Sequence, residues 1–144
     1  MRTLVKLATV SLLLVSLLPV TPSTAQDAFV VIVHPGNPTT SLSKGNLSKM
    51  FLKQKTSWGH GPAVTPVDHP VKSPVRRAFS SSVLGRSAPS IKAYWSQQIF
   101  SGRGVPPAQK RSDAAVVAHV LRKAGGIGYV KPGASGSAKV IKLR

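Results

Sequence analysis

A chain of 144 residues suits one domain, and a domain of that size buries a core without metal or disulfide staples. The absence of cysteine excludes thiol catalysis and thiolate metal sites, and 42% hydrophobic with 16% charged residues excludes both disorder and a chain embedded in membrane along its whole length. Twenty Lys and Arg against three acidic residues, Asp27, Asp68 and Asp113, give a formal charge of +17. That field concentrates anions of every kind without choosing among them, and a surface kept soluble by repulsion has the same composition.

In chain order, residues 1–25 read as a secretory signal. Arg2 and Lys6 supply the positive start, residues 7–20 an apolar run, and Ser23 and Ala25 the small residues that a signal peptidase reads, so cleavage is expected after Ala25. The apolar run is shorter than the roughly 20 residues needed to span a bilayer, and Pro19 and Pro22 close it. Residues 26–144 are then expected to form one domain with no transmembrane segment, periplasmic or secreted. With Arg2 and Lys6 gone, 18 basic residues face the same three acids, about +15.

Residues 29–33 (FVVIV) form a continuous β-branched run, which predicts a strand buried on both faces and, by that, a parallel sheet. Ser43 predicts a helix cap, with Leu42 stapled on Leu47 and with Met50 and Phe51 continuing the buried face. Residues 63–68 (AVTPVD) predict a second strand, Pro66 placing it at an edge or a bulge. Ser73 followed by Pro74 predicts a capped helix that ends at Gly85. A further helix from Ser87 puts Ile91, Tyr94, Trp95 and Ile99 on one core-facing stripe. Ser112 caps another, with Val116, Val117, Val120 and Leu121 buried, before strands at residues 127–130 and 140–143. The order implies a single small α/β domain with a mainly parallel sheet flanked by helices.

Several of these segments carry a resemblance: the apolar first strand, Leu42-Ser43, Met50-Phe51-Leu52 ahead of Trp58, the strand before the Ser73 helix, and Gly126-Ile127-Gly128-Tyr129-Val130. Together they resemble the phosphate-type substrate-binding proteins of ABC transporters, with the type II periplasmic binding protein fold. The resemblance implies one lobe of that fold, a small anion such as phosphate as ligand, and as partners a transporter permease or a second protein supplying the other lobe. The family's Ser-Gly-Thr-Thr phosphate loop falls on Ser73-Pro74-Val75-Arg76, where only Ser73 matches, and the family's upstream arginine falls near His69.

Residue by residue, the candidate anion site is Ser73, Arg76 and Arg77 with Lys72 beside them. A helix start offers free amides and a positive dipole end, and arginines in the first turn repel that dipole until an anion arrives. Arginines on a solvated helix face are the alternative. Asn37, Thr39, Thr40 and Ser41 form a second candidate, expected at the carboxyl edge of the sheet, where open α/β folds place ligands. His34, His60, His69 and His119 lack metal-site spacing, and Asp68-His69 near Ser73 lacks a nucleophile elbow, so neither a cofactor nor an enzyme activity is expected. The competing function is an envelope-associated protein that holds acidic polymers or a protein partner by its basic surface. No aromatic residues interleave with its charge clusters to stack bases, so a specific nucleic-acid partner is not expected.

Overall fold

The computed structural model describes residues 28–144; the signal assigned to residues 1–25 lies outside the described residues. Strands β1 (Val30–Val33), β2 (Ser41–Leu42), β3 (Thr65–Asp68), β4 (Ala108–Gln109), β5 (Gly126–Val130) and β6 (Lys139–Leu143) form one sheet in the order β2-β6-β1-β5-β3-β4. Helices α1 (Lys44–Phe51), α2 (Pro74–Phe79), α3 (Ala88–Phe100) and α4 (Asp113–Leu121) flank it. The two-residue strands β2 and β4 were not anticipated; they are too short to show a hydrophobic period.

Five of the six strands run in one direction, so the sheet is mainly parallel. The exception is β1, which pairs antiparallel with both β5 and β6. This corrects the parallel setting inferred for residues 29–33. A continuous apolar run reports burial on both faces but not direction, and β1 has both. Val31 and Val33 pack with α1 and α2 on one face, while Ile32 packs with α4 on the other.

The first face holds the larger core, with Leu47, Met50 and Phe51 of α1, Val75 and Phe79 of α2, and Ile127 and Tyr129 of β5. The Phe79 and Tyr129 rings stack with centroids 3.9 Å apart. On the second face Val116, Val117 and Val120 of α4 meet Ile32, Val67 and Val130. Gly128 lets α4 approach this closely, because a Cβ there would lie 2.9 Å from both Val116 and Val67.

Ser43 and Ser112 cap α1 and α4 as expected, and Ser87, read only as a helix start, caps α3, each hydroxyl accepting the amide three residues on. Ser73 makes no such side-chain bond at the start of α2, which corrects its role as a cap. The expected stop at Gly85 is present, with left-handed φ of 64°, but residues Ser80–Leu84 before it form a π-helical turn. Pro66 lies in an interior strand, contrary to the edge reading. It is accommodated because β4 pairs only with Val67 and Asp68, beyond it.

On α3, Ile91 and Trp95 are buried, but Ile99 is 53% exposed and Phe100 is 95% exposed. The core stripe therefore stops one turn earlier than its spacing suggested, because the helix runs past the sheet. Trp95→Ala should cost about 3–5 kcal/mol of unfolding free energy, whereas Ile99→Ala should stay within about 0.5 kcal/mol, as measured by urea denaturation.

Candidate functional site

Because β3, β4 and β5 run the same way, their carboxyl ends and the starts of α2 and α4 share one edge of the sheet. There the end of β3 delivers Asp68 and His69 into a buried polar cluster. Asp68 Oδ1 accepts from the His69 amide at 2.8 Å and from the Tyr129 hydroxyl, and its Oδ2 lies 3.2 Å from Arg76 Nη2. Arg76 Nη1 also donates to the His69 carbonyl, and His69 Nε2 donates to the Tyr129 carbonyl at 2.8 Å. His69 Nε2 is 3.6 Å from Asp113 Oδ1 at the start of α4.

Two opposed effects set the electrostatics. Burial pushes the Asp68 carboxyl above its ordinary value, against the Arg76 guanidinium, the Tyr129 hydroxyl and the His69 amide, which favour the carboxylate. Burial first, then the Asp68 charge, pushes the Tyr129 hydroxyl far above its ordinary value, which keeps it a donor. The cluster ties β3, β5, α2 and α4 together at the edge where α/β sheets place ligands.

The four predicted site residues separate into two groups. Arg76 is only 2% exposed and turned inward onto Asp68 and His69, unlike both the anion-facing first-turn arginine expected at this position and its solvated alternative. An unpaired guanidinium there would be too costly to bury. Lys72 and Arg77 are exposed, and Arg77 Nη1 donates to the Lys72 carbonyl at 2.7 Å, folding the helix start back on itself. Ser73 is half-buried between them, its carbonyl accepting the Arg77 amide at 3.1 Å. A groove of about 200 Å³ opens beside them, with Arg76, Lys92, Ser96 and Gln109 as its polar lining and Trp95 and Ile99 among its apolar residues.

The second candidate loop lies elsewhere. Since β1 runs against its neighbours, Asn37 emerges at the amino edge, not the carboxyl edge expected for it. It is buried there, its carbonyl taking Lys139 Nζ at 2.8 Å and its Oδ1 taking the Thr39 amide at 2.9 Å. Beyond it Ser41 and Leu42 pair with the end of β6. A cleft of about 320 Å³ lined by His34, Asn37 and His60 opens on this edge, with Asn37 Nδ2 buried and unpartnered.

Tyr129 and Asp113 were not singled out for the site. Asp113 was read only as a favourable first-turn charge, and Tyr129 only as part of the GGIGYV segment. The available signal was scarcity: two of the three acids in the chain sit at a strand end and a helix start, and one of them, Asp68, directly precedes His69.

Among the described residues no helix is long and apolar enough to cross a membrane, and no group of three or more His, Asp or Glu could hold a metal ion. The chain matches no family model and no curated protein by sequence. Solved structures do match. An ABC-type phosphate transport receptor from Vibrio cholerae shares 18% identity over 81% of this chain and 46% of its own, with a TM-score of 0.59. A putative phosphate ABC transporter substrate-binding protein from Clostridium perfringens, solved with bound phosphate, shares 17% over 81% and 45%, at 0.63. A possible phosphate binding protein from Planctomyces limnophilus shares 14% over 82% and 42%, at 0.61. The chain thus spans about half the length of the structures it matches, and its fold is that of the corresponding portion of phosphate-type substrate-binding proteins.

Proposed function

We propose that this chain is an exported, periplasmic or secreted solute-binding domain that takes up phosphate or a related small anion for transport or sensing, by binding rather than catalysis. A transporter permease, or a second protein completing the missing half, would be its partner. The observation that carries the reading is the position of the Lys72–Arg77 helix start. It lies at the carboxyl edge of a fold shared with a protein solved with bound phosphate.

In this reading Lys72, Ser73 and Arg77 meet the anion, and Arg76 acts from below. Its pairing with Asp68 and the His69 carbonyl fixes the end of β3 against α2. Pro74 at the first helical position withholds one amide but leaves those of Val75 and Arg76 in the first turn. Calorimetric titration with phosphate and sulfate should give saturable binding that persists at about 0.15 M salt. Lys72→Ala with Arg77→Ala should weaken it roughly tenfold or more. Both residues are exposed, so the double variant should fold. Unchanged affinity would remove the site assignment.

A second reading has its own observation. Of the 18 Lys and Arg that follow Arg2 and Lys6, only Arg76 is buried, while the two described carboxylates, Asp68 and Asp113, face the His69 cluster. The surface is therefore almost purely cationic, as an envelope-associated protein holding acidic polymers or an acidic partner would need. Heat with phosphate that vanishes at moderate salt, together with steeply salt-dependent binding to any polyanion, would favour it.

A further inference from the structure

Helix α4 presents Ala115, Ala118, His119 and Arg122 at helical spacing i, i+3, i+4 and i+7, one stripe beside the face that Val116, Val117 and Val120 bury. Lys110, which follows β4, joins this stripe to enclose a cavity of about 100 Å³ lined by these five residues. Water occupies about 30 Å³ in the liquid, so the cavity has room for a small polyatomic ion. The two alanines make the space, and all three polar residues on its wall are cationic or become so.

His119 Nε2 is enclosed and has no hydrogen-bond partner. Burial, and then Lys110, Lys123 and Arg122, hold the imidazole below its usual 6.5. No carboxylate is paired with Lys110 or Arg122, the described acids Asp68 and Asp113 being directed at the Arg76 and His69 cluster. Two cations and an imidazole around one small space, with a nitrogen lacking a partner, form a receptor for a compact multivalent anion.

We infer that the cavity bounded by Lys110, His119 and Arg122 is a second binding site, for a free tetrahedral oxyanion of the phosphate or sulfate class. It uses none of the residues of the α2 helix start, so it stands or falls independently of that assignment. Lys110 contributes a point charge from the β4 side, Arg122 a guanidinium fork from the last turn of α4, and His119 a proton donor between them. The anion favours the protonated imidazole. Its binding therefore takes up a proton, and affinity should rise as pH falls toward the free imidazole's own value, which lies below 6.5.

The test follows the His119 ring by NMR in the full chain as inorganic phosphate is added, over a pH series. The expected result is a saturable shift and a rise in the His119 titration midpoint. Ala118→Leu, which fills the cavity with every cation retained, should abolish the response. Arg122→Gln, an exposed change that leaves the core intact, should weaken it roughly tenfold. Lys72→Ala with Arg77→Ala should leave it unchanged. A parallel arm with anionic phospholipid vesicles separates free anion from headgroup: response to vesicles but not to phosphate would overturn the assignment. So would a His119 midpoint unmoved by phosphate, or equal responses in wild type, Ala118→Leu and Arg122→Gln, which would mean general screening of a basic surface.

Discussion

Asp68→Asn is expected to lower unfolding free energy by about 3–5 kcal/mol, more than any exposed charge change in the molecule. The substitution keeps the side-chain shape but puts an NH2 donor in place of one acceptor oxygen, facing either Arg76 Nη2 or the His69 amide and the Tyr129 hydroxyl. The reverse change, Arg76→Met, should behave differently because a carboxyl can discharge itself by taking a proton. In the wild type, burial already raises the folded Asp68 value above 3.8. The folded state therefore holds that proton to higher pH than the unfolded chain. The associated stability is fully present below 3.8 and is lost as pH rises through the folded value. Removing Arg76 removes the strongest influence on the carboxylate side and raises the value further. Arg76→Met should thus be closest to wild type in mildly acidic buffer and furthest from it at neutral pH, whereas Asp68→Asn should lack that acid recovery. Urea denaturation of both variants across pH 4.5 to 7.5 reads the difference; parallel pH curves would show that the pair does not behave as a coupled unit.

Gly125→Ala should be similarly severe for a reason of space alone. A Cβ at this position would lie 1.6 Å from the Ala63 carbonyl oxygen, and backbone cannot move aside by changing rotamer. The Gly125 carbonyl also accepts from the Thr65 amide at 2.9 Å and from Trp58 Nε1 at 3.0 Å, so displacing it endangers two bonds that lock the loop over the sheet. Strain plus those bonds amounts to about 3–5 kcal/mol. With Trp95 replaced by Phe, Trp58 is the only tryptophan left, and its emission should shift to the red in the variant. Gly45→Ala in α1 is the matched control. Nothing lies within 4 Å of its added methyl, so it should stabilise by about 0.5 to 1 kcal/mol.

Much of the fold could be read from local chemistry. The serine caps at Ser43 and Ser112, the buried faces of α1 and α4 and the strand before Ser73 depend on neighbours a few residues away, and those were read correctly. The direction of β1 depends on which strands flank it, and both come from the far end of the chain. Likewise, Arg76 looked solvated because its partner, Asp68, lies eight positions back across a turn, where no helical spacing connects them. Ser73-Pro74 as the start of α2 was legible. The division of labour within it, with Arg76 inward and Arg77 outward, arises only when β3 and α2 meet. The Lys110–His119–Arg122 cavity was hidden for a related reason. Its stripe has the right period but lacks the apolar residues that draw attention to a helix face.

The placement of β1 also governs the order in which the molecule can assemble. Val31 is bonded in register with Tyr129 on one side and Ile141 on the other. The centre of the sheet therefore waits for the last strands to be made, and the first half of the chain has no sheet of its own to form early. Contacts so distant in sequence carry a high loop-closure cost before they return any stability, which places folding among the slower α/β domains. Removing residues 139–143 would strip β1 of one neighbour and β2 of its partner together, so the first strand would be held by β5 alone.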